Sequence, residues 1–137
     1  MKTYETFEHL ADIGVRGYGK SLEEAFENGA KAMFSVIADI DEVQSVDKEE
    51  VRCEAEDPEM LFVEWLNSLL SAAHLSGALF CNFKVEITDH KLRGWAWGER
   101  LDQERHHVMT EVKAATYSML KVGREGDVYI AQCVVDV

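Results

Sequence analysis

Two short segments place chemically capable side chains at fixed spacing. In His9-Leu10-Ala11-Asp12-Ile13-Gly14, a histidine stands three residues before an aspartate. Asp and Gly suit tight turns for conformational reasons alone. Asp12 therefore reads as a turn residue between two strands, or as a metal ligand or acid–base group. His9 reads as a buried, hydrogen-bonded histidine or as a ligand. The second segment is Val134-Val135-Asp136-Val137. A chain end ordinarily frays, but this one is apolar to its last residue, which predicts anchoring in a sheet. Asp136 and the Val137 carboxylate would then stand together. Adjacent carboxylates repel unless a cation or basic side chain offsets them. If Asp12 approaches, the three make an oxygen-rich site of the hard-cation type. If it does not, they are solvated carboxylates at an exposed end.

A third polar run, Gly98-Glu99-Arg100-Leu101-Asp102-Gln103-Glu104-Arg105-His106-His107, suggests a surface loop with local ion pairs. Adjacent histidines lack the i, i+4 spacing of helical zinc sites, and no cysteine lies nearby. Lys113 and Thr116-Tyr117 follow and could reach the same face. The sequence holds no G-x-S-x-G elbow, P-loop, dinucleotide-binding fingerprint or H-E-x-x-H, which weakens hydrolase, nucleotide-binding and metalloprotease readings.

The chain has 137 residues, enough for one domain with a real core. Apolar residues at 47% argue against disorder. Lys and Arg total 14 against 26 Asp and Glu, a formal charge of −12. Phosphate neutralisation needs clustered bases, so no direct grip on nucleic acid is expected. The balance favours a metal-binding chain or one that docks on a basic partner. The opening residues hold no apolar run suited to a signal peptide. The most apolar stretch, 60–79, is interrupted by Glu64, Asn67, His74 and Ser76, so no membrane span is expected. Cys53, Cys81 and Cys133 are widely spaced and odd in number, which predicts reduced thiols and a cytoplasmic setting.

The elements that must position these residues follow from periodicity. Residues 2–8 alternate as a strand, and a second short strand covers 15–18. Ser21 and Glu24 form a capping box for a helix over 21–38 with an apolar stripe through Leu22, Phe26, Met33 and Ile37. Residues 39–50 read as a solvated loop. Val51, Cys53 and Ala55 alternate with charged residues in a strand. Asp57-Pro58-Glu59 opens a second helix, and Gly77 stops it. Strands are expected at 80–88 and 91–98, then, less regularly, at 112–122, where a helix is the alternative. A turn at 123–126 leads into a final strand, 128–137. The prediction is a single α+β domain over 1–137, a mostly antiparallel sheet with two main helices.

Together these segments resemble the archease family. The matching pieces are the 9–14 segment, Ser21-Leu22-Glu23-Glu24-Ala25-Phe26-Glu27-Asn28, Glu56-Asp57 before the Trp65 helix, Gly98-Glu99 with Asp102 and Arg105-His106, Glu111-Val112-Lys113-Ala114-Ala115-Thr116-Tyr117, and the 134–137 end. They occur in the family's order and cover nearly the whole chain. The resemblance implies a strand-helix-strand-strand fold with a second such unit interlaced. It implies a non-catalytic activator of the RtcB-type tRNA-splicing RNA ligase that promotes guanylylation and multiple turnover and widens nucleotide use. It also implies a divalent metal, calcium in structures, held by Asp12, Asp136 and the Val137 carboxylate. Leu10 stands where the family usually has threonine, and Ser118 where it usually has histidine. Two other readings stay open: a chaperone-like modulator of a tRNA-modifying methyltransferase, and a small metal-dependent hydrolase using Asp12 and His9.

Overall fold

The computed structural model describes residues 2–137. Two antiparallel strands, β1 (Tyr4–His9) and β2 (Asp12–Gly19), lead into helix α1 (Leu22–Ile37). A single 3₁₀ turn, Ile40–Glu42, precedes β3 (Asp47–Glu54), helix α2 (Pro58–Ser76), β4 (Ala78–Thr88) and β5 (Lys91–Arg100). The chain ends in β6 (Ala114–Ala115), β7 (Lys121–Glu125) and β8 (Val128–Asp136).

The strands form two sheets rather than one. The first runs β1-β2-β8-β6 with β7 also on β8, and the second runs β3-β5-β4. The β3-α2-β4-β5 unit is inserted in sequence between the β2-α1 and β7-β8 halves of the other. This is the interlaced strand-helix-strand-strand arrangement. Helix α1 packs on β2 and β8 of one sheet and on β4 of the other, and α2 packs on β3, β4 and β6. The helices thus lie between the sheets. Phe26, Phe34, Phe62, Trp65 and Phe80 fill that layer almost without exposure.

Local chemistry explains the helix ends. Ser21 accepts from the Glu24 N–H at 3.1 Å, and the Glu24 carboxylate accepts from the Lys20 N–H at 3.0 Å. Asp57 accepts from the Met60 N–H at 2.8 Å with Pro58 in the first turn, and Gly77 closes α2 at φ 64°. A residue with a Cβ is excluded at Gly17. An added Cβ would lie 2.1 Å from the Gly29 nitrogen and 2.3 Å from the Ala25 carbonyl oxygen, because α1 crosses β2 backbone to backbone.

Three sequence expectations change, and the final strand falls where expected. The expected loop 39–50 contains the 3₁₀ turn and the first residues of β3. The expected strand 112–122 is only a two-residue β6 and the start of β7, separated by a turn with Met119 at φ 54°. Gly123 lies inside β7, so the turn shrinks to Gly126-Asp127. β8 is buried on both faces from Ile130 to Val135, so no alternation marks its inner side. Its outer side is covered from the flanks. The side chain of Gln132, for example, is held by Arg16 at 2.7 Å and by the Met119 carbonyl at 3.0 Å.

Candidate functional site

The two segments that hold the candidate residues meet at one rim of the five-stranded sheet. β1 and β2 close at the pair His9 and Asp12, with Leu10-Ala11 as the turn. Asp12 is therefore the first residue of β2 and not a turn residue. His9 is half-buried, short of the buried histidine expected. β2 then runs antiparallel to β8, with Ile13 opposite Val135 and Gly14 opposite Val134. Asp12 and Asp136 each lie one residue beyond this last pair.

The chain end is anchored from both sides. On one side, Asp12 Oδ1 accepts from the Val137 N–H at 3.4 Å. On the other, Ala114 pairs with Asp136, and the Lys113 N–H donates to the Asp136 carbonyl at 2.8 Å. Thr116 donates from its N–H and its hydroxyl to the Val134 carbonyl, at 3.0 and 2.7 Å. Val137 is half-buried against the core, and the Asp136 side chain is exposed. The terminus is thus ordered by a sheet interior, as its apolar sequence predicts.

As donors, Asp12, Asp136 and the carboxylate of Val137 are all hard oxygens, of the kind calcium and magnesium take. Among the described residues no group of three or more His, Cys, Asp or Glu side chains is placed to hold a metal. Cation binding here therefore requires main-chain or terminal oxygens besides the two aspartates. Val137 meets Asp12 through its N–H, which puts the end of the chain beside that aspartate.

The rim carries exposed apolar side chains. Leu10 is 96% exposed at φ 55°, and Met119 is 50% exposed at φ 54°. Tyr117, next to the Thr116 hydroxyl that holds β8, is 58% exposed. Large side chains rarely occupy the left-handed region, which costs about 1–3 kcal/mol per residue.

Behind the rim, the outer face of the sheet is rigid. The Phe7 ring lies over Gly14, where an added Cβ would come within 2.1 Å of it, and Arg16 stacks on the same ring at 4.7 Å. Arg16 and the Tyr18 hydroxyl both donate to Glu5, which also takes a bond from Lys2 at 2.8 Å. Led by the Lys2 ammonium, these donors hold the Glu5 carboxyl down at about 2.

The polar run after β5 has a structural role that its sequence concealed. His106 is buried, although the run reads as a surface loop. Its Nδ1 accepts from the Asp102 N–H at 2.9 Å, so the proton sits on Nε2, 3.1 Å from Glu99. Glu99 also accepts from the Gln44 N–H at 2.7 Å and from Arg105. The Gln44 bond is the main reason its carboxyl is held at about 2. The only advance signal was the i, i+4 spacing of Asp102 and His106. All three cysteines are free. Burial pushes the Cys53 thiol to about 11 and the Cys133 thiol to about 12, so neither is a nucleophile near neutral pH.

The architecture defines an α+β protein of two interlaced strand-helix-strand-strand units, with its candidate site on an open sheet rim. A sequence model described as the Archease protein family matches residues 4–137. The chain belongs to the archease family. It is 44% identical to the protein archease of Pyrococcus abyssi and 42% identical to that of Sulfurisphaera tokodaii, over 100% of both chains in each case. Its structure is similar to the solution structure of protein 1598 of Methanobacterium thermoautotrophicum, with a TM-score of 0.87, 38% identity and 100% coverage of both chains. The crystal structure of a Thermotoga maritima archease, described as a possible chaperone, shares the fold at a TM-score of 0.63 and 22% identity, covering 100% of this chain and 99% of that one. Among the described residues no helix is long and apolar enough to cross a membrane.

Proposed function

We propose that this protein is a non-catalytic activator of an RtcB-type tRNA-splicing RNA ligase. It promotes guanylylation and repeated turnover of the ligase through a carboxylate site made by Asp12, Asp136 and the Val137 carboxylate, with calcium or a similar hard cation as the ligand. The reading rests on family membership together with the 3.4 Å approach of Val137 to Asp12. A bound divalent ion would supply charge stabilisation to nucleotidyl transfer.

The chain's own residues account for the rest. β2 and β8 pair as far as Ile13 and Val135, the residues next to the two aspartates. Lys113 and Thr116 fix the β8 main chain. Leu10, 96% exposed in the turn that leads into Asp12, offers apolar surface beside that acid, as a protein-docking rim does. A formal charge of −12 suits a basic partner.

The test is single-turnover guanylylation of a purified RtcB-type ligase with and without stoichiometric chain. The expected result is faster and more complete guanylylation. An unchanged rate and extent with the folded chain present would overturn the proposal.

A further inference from the structure

The second sheet has a solvent face unlike the rest of the molecule. β5 is its central strand, and its side chains alternate strictly. Leu92, Gly94 and Ala96 are buried, while Arg93, Trp95 and Trp97 face outward, the two tryptophans half-exposed. Trp65, not these two, fills the core, with its ring edge-on to Phe83 at 6.2 Å.

Register sets the surroundings. Arg52 and Glu86 flank Arg93, Glu50 and Lys84 flank Trp95, and Lys48 and Asn82 flank Trp97. Beyond Arg93, Glu54 and Thr88 flank Lys91. Five bases (Lys48, Arg52, Lys84, Lys91, Arg93) thus share the face with four acids (Glu50, Glu54, Glu86 and, at its end, Glu99), a small net excess of positive charge on a chain of −12. Glu50 is already engaged by Arg52 at 2.7 Å and Arg93 at 3.1 Å, and the Arg93 guanidinium covers Trp95 at 4.7 Å. One end of the face opens into a cleft of about 550 Å³ lined by Arg52, Lys91 and Arg93 together with Glu54 and Glu86.

Two rings two residues apart on a strand are separated by about 7 Å. That spacing presents two rings in a row along the surface, and a base that reaches Trp95 stacks beside the Arg93 guanidinium or displaces it. Successive unstacked bases bind such aromatic platforms while lysine and arginine carry the phosphates. The interspersed carboxylates repel phosphate, but they accept hydrogen bonds, and a ribose 2′-hydroxyl donates one. A duplex hides its bases and gains nothing from the rings.

We infer that the solvent face of the β3-β5-β4 sheet binds single-stranded RNA, with bases on Trp95 and Trp97 and phosphates on the surrounding Lys and Arg. This departs from the expectation drawn from net charge, because whole-chain charge averages away a local basic face. The chain's overall field weakens the binding and makes it steeply salt-dependent.

The experiment is fluorescence anisotropy of a labelled oligouridylate titrated with the full chain, at about 50 mM and about 200 mM salt. Saturable binding at low salt is expected, weaker at high salt, and weaker still for a duplex of equal length. Trp95→Ala and Trp97→Ala each lower affinity about tenfold, and Lys84→Glu lowers it as well. Leu75→Ala, a charge-neutral change at an exposed position on α2, leaves it unchanged. Melting curves confirm folding, and quenching of wild-type tryptophan fluorescence by unlabelled RNA gives a readout that needs no substitution. The inference is overturned by no saturable binding up to about 1 mM chain, far above ordinary non-specific affinities. Equal affinity of the Trp95→Ala/Trp97→Ala chain overturns it too. If that double variant binds RNA normally but fails to activate the ligase, the face is a protein interface and the RNA assignment is wrong.

Discussion

Replacing Asp12 by alanine should abolish the site and spare the scaffold. Asp12 is half-buried, and its one hydrogen bond to Val137 is long at 3.4 Å. A hydrogen bond to a charged acceptor contributes about 1.5–3 kcal/mol at good geometry, so this one contributes about 1 kcal/mol or less. Removing one of several neighbouring carboxylates also relieves repulsion. The net change is within about 1 kcal/mol, or a melting shift of no more than roughly 5 °C. Trp65→Ala is the contrast. Its ring is fully buried, its Nε1–H donates to the Phe26 carbonyl at 3.0 Å, and it packs directly on Gly94, where an added Cβ would come within 2.3 Å of the ring. Truncation costs about 3–5 kcal/mol, which is more than about 10 °C.

Calcium separates the two variants further. A ligand at a hundred times its dissociation constant stabilises the folded state by about 2.7 kcal/mol. Calcium should therefore raise the melting temperature of the wild type and of Trp65→Ala, and leave Asp12→Ala unmoved. Ligase guanylylation should be lost in Asp12→Ala and retained by Trp65→Ala below its melting point. If Asp12→Ala melts far below wild type, or activates the ligase normally, Asp12 is a structural residue and the site assignment is wrong.

Three further outcomes are expected. Extending the chain beyond Val137 turns the terminal carboxylate into an amide and adds bulk at the rim, so a C-terminal tag should impair ligase activation more than it shifts the melting curve. Gly17→Ala drives a Cβ into the α1 backbone at 2.1 Å from the Gly29 nitrogen, and denaturant titration should read a loss of about 3 kcal/mol or more. Glu99, with its pKa depressed from 4.5 to about 2, contributes stability that is present above pH 4.5 and lost as pH falls towards 2. Acid titration of Glu99→Gln should show a shallower loss over that window, and an identical profile would remove Glu99 from the account.

Local signals carried much of this protein. The caps at Ser21 and Asp57, Pro58 in the first turn and Gly77 at the stop are short-range hydrogen-bonding and dihedral effects, so the helices were legible to within a residue or two. The same holds for β4 and β5, whose alternation reflects one wet face and one dry face. The apolar 134–137 end announced its own anchoring. What failed were segments whose conformation is settled by distant partners. The 112–122 segment broke into β6, a turn and β7 because Thr116 and Ser118 bond to Val134 rather than continue a strand. His106 is buried only because Glu99, across the loop, fixes its ring. The segments that carry Asp12 and Asp136 lie more than a hundred residues apart in sequence, and the β2-β8 pairing brings them to one rim. Likewise, Trp95 and Trp97 become a basic, aromatic face only when β3 and β4 bring their lysines and arginine alongside. Periodicity reports which side of an element is dry, whereas the pairing of elements decides which side chains meet, because that choice is made by long-range packing.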